Sequence, residues 1–437
     1  MPYTYGMIEP TNSELLTYEE ATNLAARAAK VFQPRTPITT TELFAGRWNE
    51  LTAVADAVNQ PGLHVVIYGE RGVGKSSLAN VVKPTIWTLD NMGKDRSQWI
   101  ERLVIKAVAS SGDTFSKIWD NLFKELAWND DRPVAGMLQN LKKRISIREA
   151  FDLTDTLQID DVRRVLSNMP GAVFIVDEFD RAVTDTSREF TDLIKSLSDF
   201  AIDCTVILVG VSDTVDKLIA DHASIHRALI EILLHRMKPE ELTVILQNAE
   251  KSLSVNFSED AKKLIVRVSQ GLPHYTHLIG LHAVRMTATE RFSRSIDRSE
   301  VFEALKKAVT QAEQTITDKH SRATHSAHKD ALYRHVLLAC ALTAASSHDA
   351  LGYFNPAALV DPLGQILGRD VAIATFSNHL SEFCQEKRAS VLERDGQPWG
   401  YRFRFRDPLL VPYVFMNAVD ANLISGEKLV QMLEETH

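Results

Sequence analysis

One stretch narrows the possible folds of this chain more than any other. Val65–Tyr68 is a short, apolar, largely β-branched run, which reads as a buried strand. It leads into Gly69, Glu70, Arg71, Gly72, Val73, Gly74, Lys75 and Ser76, a full match to G-x-x-x-x-G-K-[ST], and Ser77–Val82 then reads as a helix ending before Pro84. The chemistry needs that order. Glycines let the backbone curl so that successive N–H groups point inward, and the N-terminus of the following helix adds positive potential. Lys75 is then placed to reach the outer phosphates of a nucleoside triphosphate, and the Ser76 hydroxyl to ligate Mg²⁺. The bland alternative is a glycine-rich turn on an ordinary α/β sheet. The strand before and the helix after favour the phosphate cradle, Gly69 to Ser77.

A second run points to the same chemistry. Ala172–Val176 is continuously apolar and ends in Asp177, Glu178, Phe179 and Asp180. This suits a buried parallel strand that delivers carboxylates at its C-terminal edge. Asp177 is expected to hold Mg²⁺ together with Ser76, and Glu178 to polarise the water that attacks the γ-phosphate. A third apolar strand, Thr205–Gly210, precedes Ser212 and Asp213, which either sense the γ-phosphate or cap the helix read at Thr214–Ala220. Arg227, and after it Arg236, is the candidate to enter a neighbouring subunit's site as an arginine finger, against the alternative of a structurally paired arginine. Strands alternating with helices predict an α/β fold, a parallel sheet of the P-loop NTPase kind covered on both faces.

The 437 residues allow about three domains. With 45% hydrophobic and 24% charged residues the chain can build substantial cores. A net charge of −8 argues against a generally basic nucleic-acid coat. Cys204, Cys340 and Cys384 fit no disulfide or zinc spacing, and no apolar run is long enough to span a membrane. A cytoplasmic protein without a membrane partner is expected. In chain order, residues 1–40 are an N-terminal arm whose helix opens at Thr17 with a capping box. Residues 41–238 are the nucleotide core, and residues 239–316 a helical lid. Residues 317–328, polar and rich in histidine, are the expected linker and hinge.

Residues 329–437 read as three helices (Asp330–Ala345, Pro356–Leu367, Ala372–Glu386) and a hairpin turning at Asp395–Gly400, the order of a winged helix. The third helix offers Thr375, Ser377, Asn378 and His379 to a major groove. The alternation in Tyr401–Arg406 puts Arg402, Arg404 and Arg406 on one face, where contact with duplex DNA phosphates is one reading. Residues 326–437 hold ten Lys and Arg against thirteen Asp and Glu, so packing against protein is the other.

Phe44-Ala45-Gly46-Arg47 resembles the F-x-G-R box that precedes the phosphate loop in initiator-type AAA+ ATPases and in the related STAND ATPases. Val173–Asp180 is similar to their Walker B strand, and the order core, lid, winged helix is theirs as well. The resemblance covers about residues 40–415. It implies ATP or ADP with Mg²⁺, and adenine bound near Phe44, Gly46, Arg47 and the lid. Gly271-Leu272-Pro273 is similar to the STAND G-x-P motif, whose proline packs on adenine, and His274 stands where initiator lids carry a sensing arginine. The departure implies a slow nucleotide-dependent switch that controls self-assembly or a partner effector, in defence or stress response. A DNA-binding loader is the alternative.

Overall fold

The structure, a computed structural model, describes residues 15–130, 143–212, 215, 218, 225–328, 331–346, 352–397 and 400–435. They fall into two compact units, one running from Pro37 to His235 and the other drawn from the chain on both sides of it.

After α1 (Tyr18–Val31), which belongs to the second unit, the first unit begins with α2 (Trp48–Val58), β1 (His64–Tyr68) and α3 (Lys75–Asn91). It continues with β2 (Val104–Val108), α4 (Phe115–Lys124), the antiparallel pair β3 (Ala127–Asp130) and β4 (Lys143–Ser146), α5 (Ile147–Ala150) and α6 (Ile159–Leu166). The remaining elements are β5 (Ala172–Asp177), α7 (Thr184–Asp199), β6 (Cys204–Val209) and β7 (Leu229–Leu233). Five strands form one parallel sheet in the order β2-β5-β6-β1-β7. Burial explains the unbroken apolar runs: every residue of β5 and β6 is buried. Val66, Phe174, Val176, Val206 and Leu208 face a core shared with α4, α6 and α7, where Trp119 stacks on Phe190 at 5.9 Å. Their neighbours Val65, Ile67, Val173, Ile175 and Ile207 point the other way, onto the face that α2 and α3 cover. The sheet is doubly wound.

One boundary differs from expectation. The helix after the phosphate loop runs through Pro84 to Asn91. A proline removes one helical hydrogen bond, and the apolar stripe of Leu78, Val81, Val82 and Ile86, buried on both sides of it, holds the helix together. Further on, α4 stops at Lys124 and the chain enters β3 at Ala127. Asp213 and most of the helix read at Thr214–Ala220 lie outside the described residues.

The second unit adds α8 (Pro239–Leu253), β8 (Asn256–Phe257), α9 (Glu259–Ser269), α10 (Pro273–Arg291), β9 (Ser295–Ile296), α11 (Arg298–Gln311) and α12 (Gln314–Thr324). Then follow α13 (Tyr333–Ser346), α14 (Val360–Leu367), α15 (Ser377–Phe383), the hairpin β10 (Leu392–Asp395) with β11 (Arg402–Phe405), α16 (Leu410–Asp420) and α17 (Gly426–Glu435). The capping box at Thr17 and Glu20 opens α1, whose buried stripe of Ala21, Leu24 and Ala28 packs on α8 and α10. Gly280 makes room there, because any side chain at that position would collide with the ring of Phe32. No helix among the described residues is long and apolar enough to cross a membrane.

The expected linker is a correction. Residues 314–324 form α12, with Ile316, His320, Ala323 and Thr324 buried and the His320 ring 5.2 Å from Tyr413 of α16. Lys319 pairs with the buried Asp407 at 2.7 Å, and the Tyr275 hydroxyl of α10 donates to Leu409 O at 2.5 Å. Lid and C-terminal region are therefore parts of one unit. In that region the third expected helix is broken into a 3₁₀ turn (Ile373–Thr375), α15 and a second 3₁₀ turn (Glu386–Arg388). Phe354 pairs antiparallel with Phe403 and extends the hairpin by one short rung. Two further helices, α16 and α17, follow.

Buried imidazoles run through both units. His64 opens β1 and its Nδ1 accepts the Val206 N–H at 3.0 Å, which fixes a neutral ring. Burial pushes its pKa down to about 3, and those of His277, His282 and His320 down to about 4. A depressed folded value stabilises the fold fully above the free imidazole value of about 6.5, and the contribution is lost as pH falls below it. At pH 5 the loss is roughly 2 kcal/mol per ring. The melting temperature is expected to drop steeply between about pH 7 and pH 5; a flat profile would contradict these neutral, buried rings.

Candidate nucleotide site

The site is assembled at the C-terminal edge of the sheet, where β1 lies between β6 and β7. Gly69, Gly72 and Gly74 have φ of 144°, 86° and 99°, which side chains other than glycine rarely adopt. At Gly69 a Cβ would also strike the carbonyl oxygen of Leu234. The loop is thus curled tightly against the chain leaving β7. Gly74 gives α3 no side-chain cap, so the first N–H groups of the helix face the loop.

Lys75 is buried, and its Nζ donates to Gly69 O at 3.0 Å and Glu70 O at 2.7 Å. Burial pushes its pKa down to about 8, against the opposing pull of Asp180, Asp177 and Glu70, so it is mostly charged at neutral pH. The Ser76 hydroxyl donates to Asp177 Oδ1 at 3.2 Å, which also accepts the N–H of Glu178 at 3.0 Å. The two expected Mg²⁺ ligands are therefore brought together across the end of β6, 101 residues apart in sequence. A hydroxyl and a carboxylate are the hard oxygen donors that Mg²⁺ takes. Bound there, the ion would neutralise phosphate charge.

Glu178 adopts φ 55° and ψ 35°, a left-handed conformation that costs a non-glycine residue energy and turns its side chain out of the strand line. Its carboxylate pairs with Arg181 at 2.9 Å and is partly exposed. Asp180 Oδ1 accepts the Val211 N–H at 2.8 Å and ties the acidic turn to the end of β6. Ser212 is buried beside it.

The box before α2 is held within the first unit by its arginine. Phe44 and Ala45 are buried, and Gly46 and Arg47 are both left-handed. The Arg47 guanidinium pairs with Glu50 at 3.2 Å and donates to His235 O, so it ties the box to the last residue of this unit. At the unit's other end the Ile38 N–H donates to Ser77 Oγ at 3.1 Å, and Asn80 Nδ2 donates to Ile38 O at 3.2 Å.

The other expected residues have these surroundings. Arg227 is mostly exposed and pairs with Asp199 at 3.0 Å. Pro273 and His274 belong to the second unit, with Pro273 in the first turn of α10. His274 Nδ1 lies 2.6 Å from Pro34 O, and Gly271 (φ 75°) accepts the Met237 N–H at 2.8 Å. Arg236 Nη1 donates to Gln270 O at 3.4 Å. The hairpin arginines are internally paired: Arg402 with Asp395 and Arg404 with Glu393, both over the Tyr353 ring. Two residues escaped the reading of the sequence. Lys106, in the middle of β2, places Nζ 2.7 Å from Asp177 Oδ2 and 2.6 Å from Asn80 Oδ1.

A parallel sheet, a curled glycine loop with a buried lysine, and a serine facing an aspartate at a strand end define a P-loop NTPase. More narrowly, the chain belongs to the family described as Novel STAND NTPase 1 (nSTAND1), whose model matches residues 35–350. No curated protein matches it. Among solved structures it is similar to the ORC2 protein of Aeropyrum pernix in ADPNP-ADP complexes, with 14% identity, TM-score 0.46, and coverage of 93% of this chain and 98% of that one. It is also similar to Cdc6p of Pyrobaculum aerophilum, at 12% identity and TM-score 0.45 with coverage of 94% and 99%. For the ORC1 protein of Aeropyrum pernix in complex with DNA the values are 13%, 0.43, 90% and 97%.

Proposed function

We propose that this chain is a nucleotide-operated switch: it binds ATP with Mg²⁺ in the first unit, hydrolyses it slowly, and uses the bound nucleotide to control self-assembly or recruitment of a partner effector. Lys75 and the loop amides hold the phosphates, Ser76 and Asp177 hold the metal, and Glu178 takes the proton from the attacking water. A cytoplasmic role in defence or stress response fits the STAND membership.

One observation carries the switch reading. The chain passes between its two units twice, after Thr36 and after His235. Both passages are anchored to nucleotide-site elements: Ile38 to Ser77 and Asn80 of α3, Leu234 to Tyr68 O just before the phosphate loop, and His235 to Arg47. A change in the phosphate loop is thereby coupled to the two strands of chain about which the units would turn. The hinge moves accordingly from the expected 317–328 to these passages. The DNA-loader reading has less support at two of its three arginines, because Asp395 pairs with Arg402 and Glu393 with Arg404 within the hairpin. In this reading residues 329–437 are a winged helix that packs against protein.

Light scattering with ADP, and with a non-hydrolysable ATP analogue plus Mg²⁺, tests the switch. A larger assembly with the analogue, of this chain alone or with the products of neighbouring genes, is expected. The same monomer under every condition would sink the reading.

A further inference from the structure

We propose that Lys106 is a positioning residue, the built-in counter-cation of the metal-binding carboxylate. It lets the site accept a nucleotide before a divalent cation arrives, and Mg²⁺ then competes with it for Asp177. The inference rests on the nucleotide-site reading above and deepens it.

The strand register makes Lys106 available. It lies opposite Ile175, two residues before Asp177 on the same face of the sheet, and that face looks toward α3. From there the side chain reaches the strand end and meets Asp177 Oδ2 at 2.7 Å, while Oδ1 is occupied by the Ser76 hydroxyl and the Glu178 N–H. Asn80 holds the ammonium from the other side at 2.6 Å and is itself anchored to Ile38 O. The aspartate is 4% exposed. A carboxylate so buried needs a cation, because leaving one unpaired costs several kcal/mol. The need grows when phosphates arrive, since their like charge would be only a few ångströms away in a poorly screened site. The ammonium answers both demands until Mg²⁺ takes its place on the carboxylate.

Charge balance therefore predicts opposite effects in the two metal conditions. Titration of the full chain with a fluorescent ADP, in excess EDTA and in Mg²⁺, is the experiment. In Lys106→Met, affinity in EDTA is expected to fall about tenfold or more while affinity in Mg²⁺ holds or rises, so the ratio between the conditions widens by at least about tenfold. Lys106→Arg keeps the charge and is expected to restore the wild-type ratio. A purely structural lysine would weaken both conditions alike, and an unmoved ratio overturns the proposal. Should Lys106→Met fail to fold by thermal melt, Asn80→Leu keeps the lysine and removes the second anchor of its ammonium, together with the bond from Asn80 to Ile38 O. It is expected to widen the ratio in the same direction by a smaller factor, and an unmoved ratio there also overturns the proposal. If the wild-type chain bound no nucleotide in either buffer, the site reading itself would fall. Binding with an unmoved ratio removes the Lys106 role alone.

Discussion

Lys75→Ala is expected to weaken ATP binding by on the order of a hundredfold or more, measured by calorimetry with Mg²⁺ present. The magnitude follows from placement. The ammonium sits buried inside the curl of the loop, held at 2.7–3.0 Å by carbonyls of Glu70 and Gly69 that neutralise no charge. Three acids surround it: Asp180, Asp177 and Glu70 all favour its protonated form. Without it the phosphates lose that charge while Asp180 and Glu70 keep theirs nearby, so the substitution removes an attraction and leaves a repulsion less screened. Charge-assisted bonds in a water-poor site are the strongest polar contacts available to a protein. An undiminished affinity would mean that the phosphates sit elsewhere. Then Gly69, Gly72 and Gly74 would be only a turn, and the family membership would extend to the fold but not to the site.

The parts of this site that were legible in the sequence share a physical reason. A backbone at φ of 86° to 144° tolerates little besides glycine, so the loop writes itself as glycines at fixed offsets. A strand buried on both faces writes itself as an unbroken apolar run, and Asp177 marks where it reaches the edge. Lys106 was not legible in the same way, since its partner is chosen by the pairing of β2 with β5, which no local pattern states. A lysine between Ile105 and Ala107, at the centre of a strand, was the signal available. The hairpin shows the converse. Alternation correctly put Arg402 and Arg404 on one face, but the antiparallel register sets Asp395 and Glu393 directly opposite them, and cross-strand pairing consumes the charge.

Composition misled at α12. Residues 317–328 are polar and carry three histidines, which suggested a solvated hinge. Yet Ile316, His320, Ala323 and Thr324 recur at helical spacing and form the buried stripe. Periodicity held the information that composition obscured. The consequence for the proposed switch is that the passages beside Ile38 and His235, where the chain crosses between its two units, replace residues 317–328 as the candidate hinge.

Glu178→Gln is expected to keep ATP binding and to slow single-turnover hydrolysis by roughly 10²–10⁴-fold. The amide retains the shape of the side chain and can accept a hydrogen bond, but it cannot take a proton from water. The surroundings favour this residue over Asp177 as the proposed base. Both oxygens of Asp177 are engaged, by Ser76, the Glu178 N–H and Lys106, whereas Glu178 is turned outward by its left-handed backbone and held by one exposed pair with Arg181. An exposed pair is worth at most about 1 kcal/mol, so releasing Glu178 toward a water is a small step against the barrier it lowers. If the nucleotide drives assembly, the variant should also accumulate the ATP-bound assembly, because the step that resets the switch is removed while the step that sets it is intact. Hydrolysis at the wild-type rate in Glu178→Gln would take the base role away from this residue. Slow hydrolysis with no accumulation of an assembly would keep the base and separate turnover from the switch.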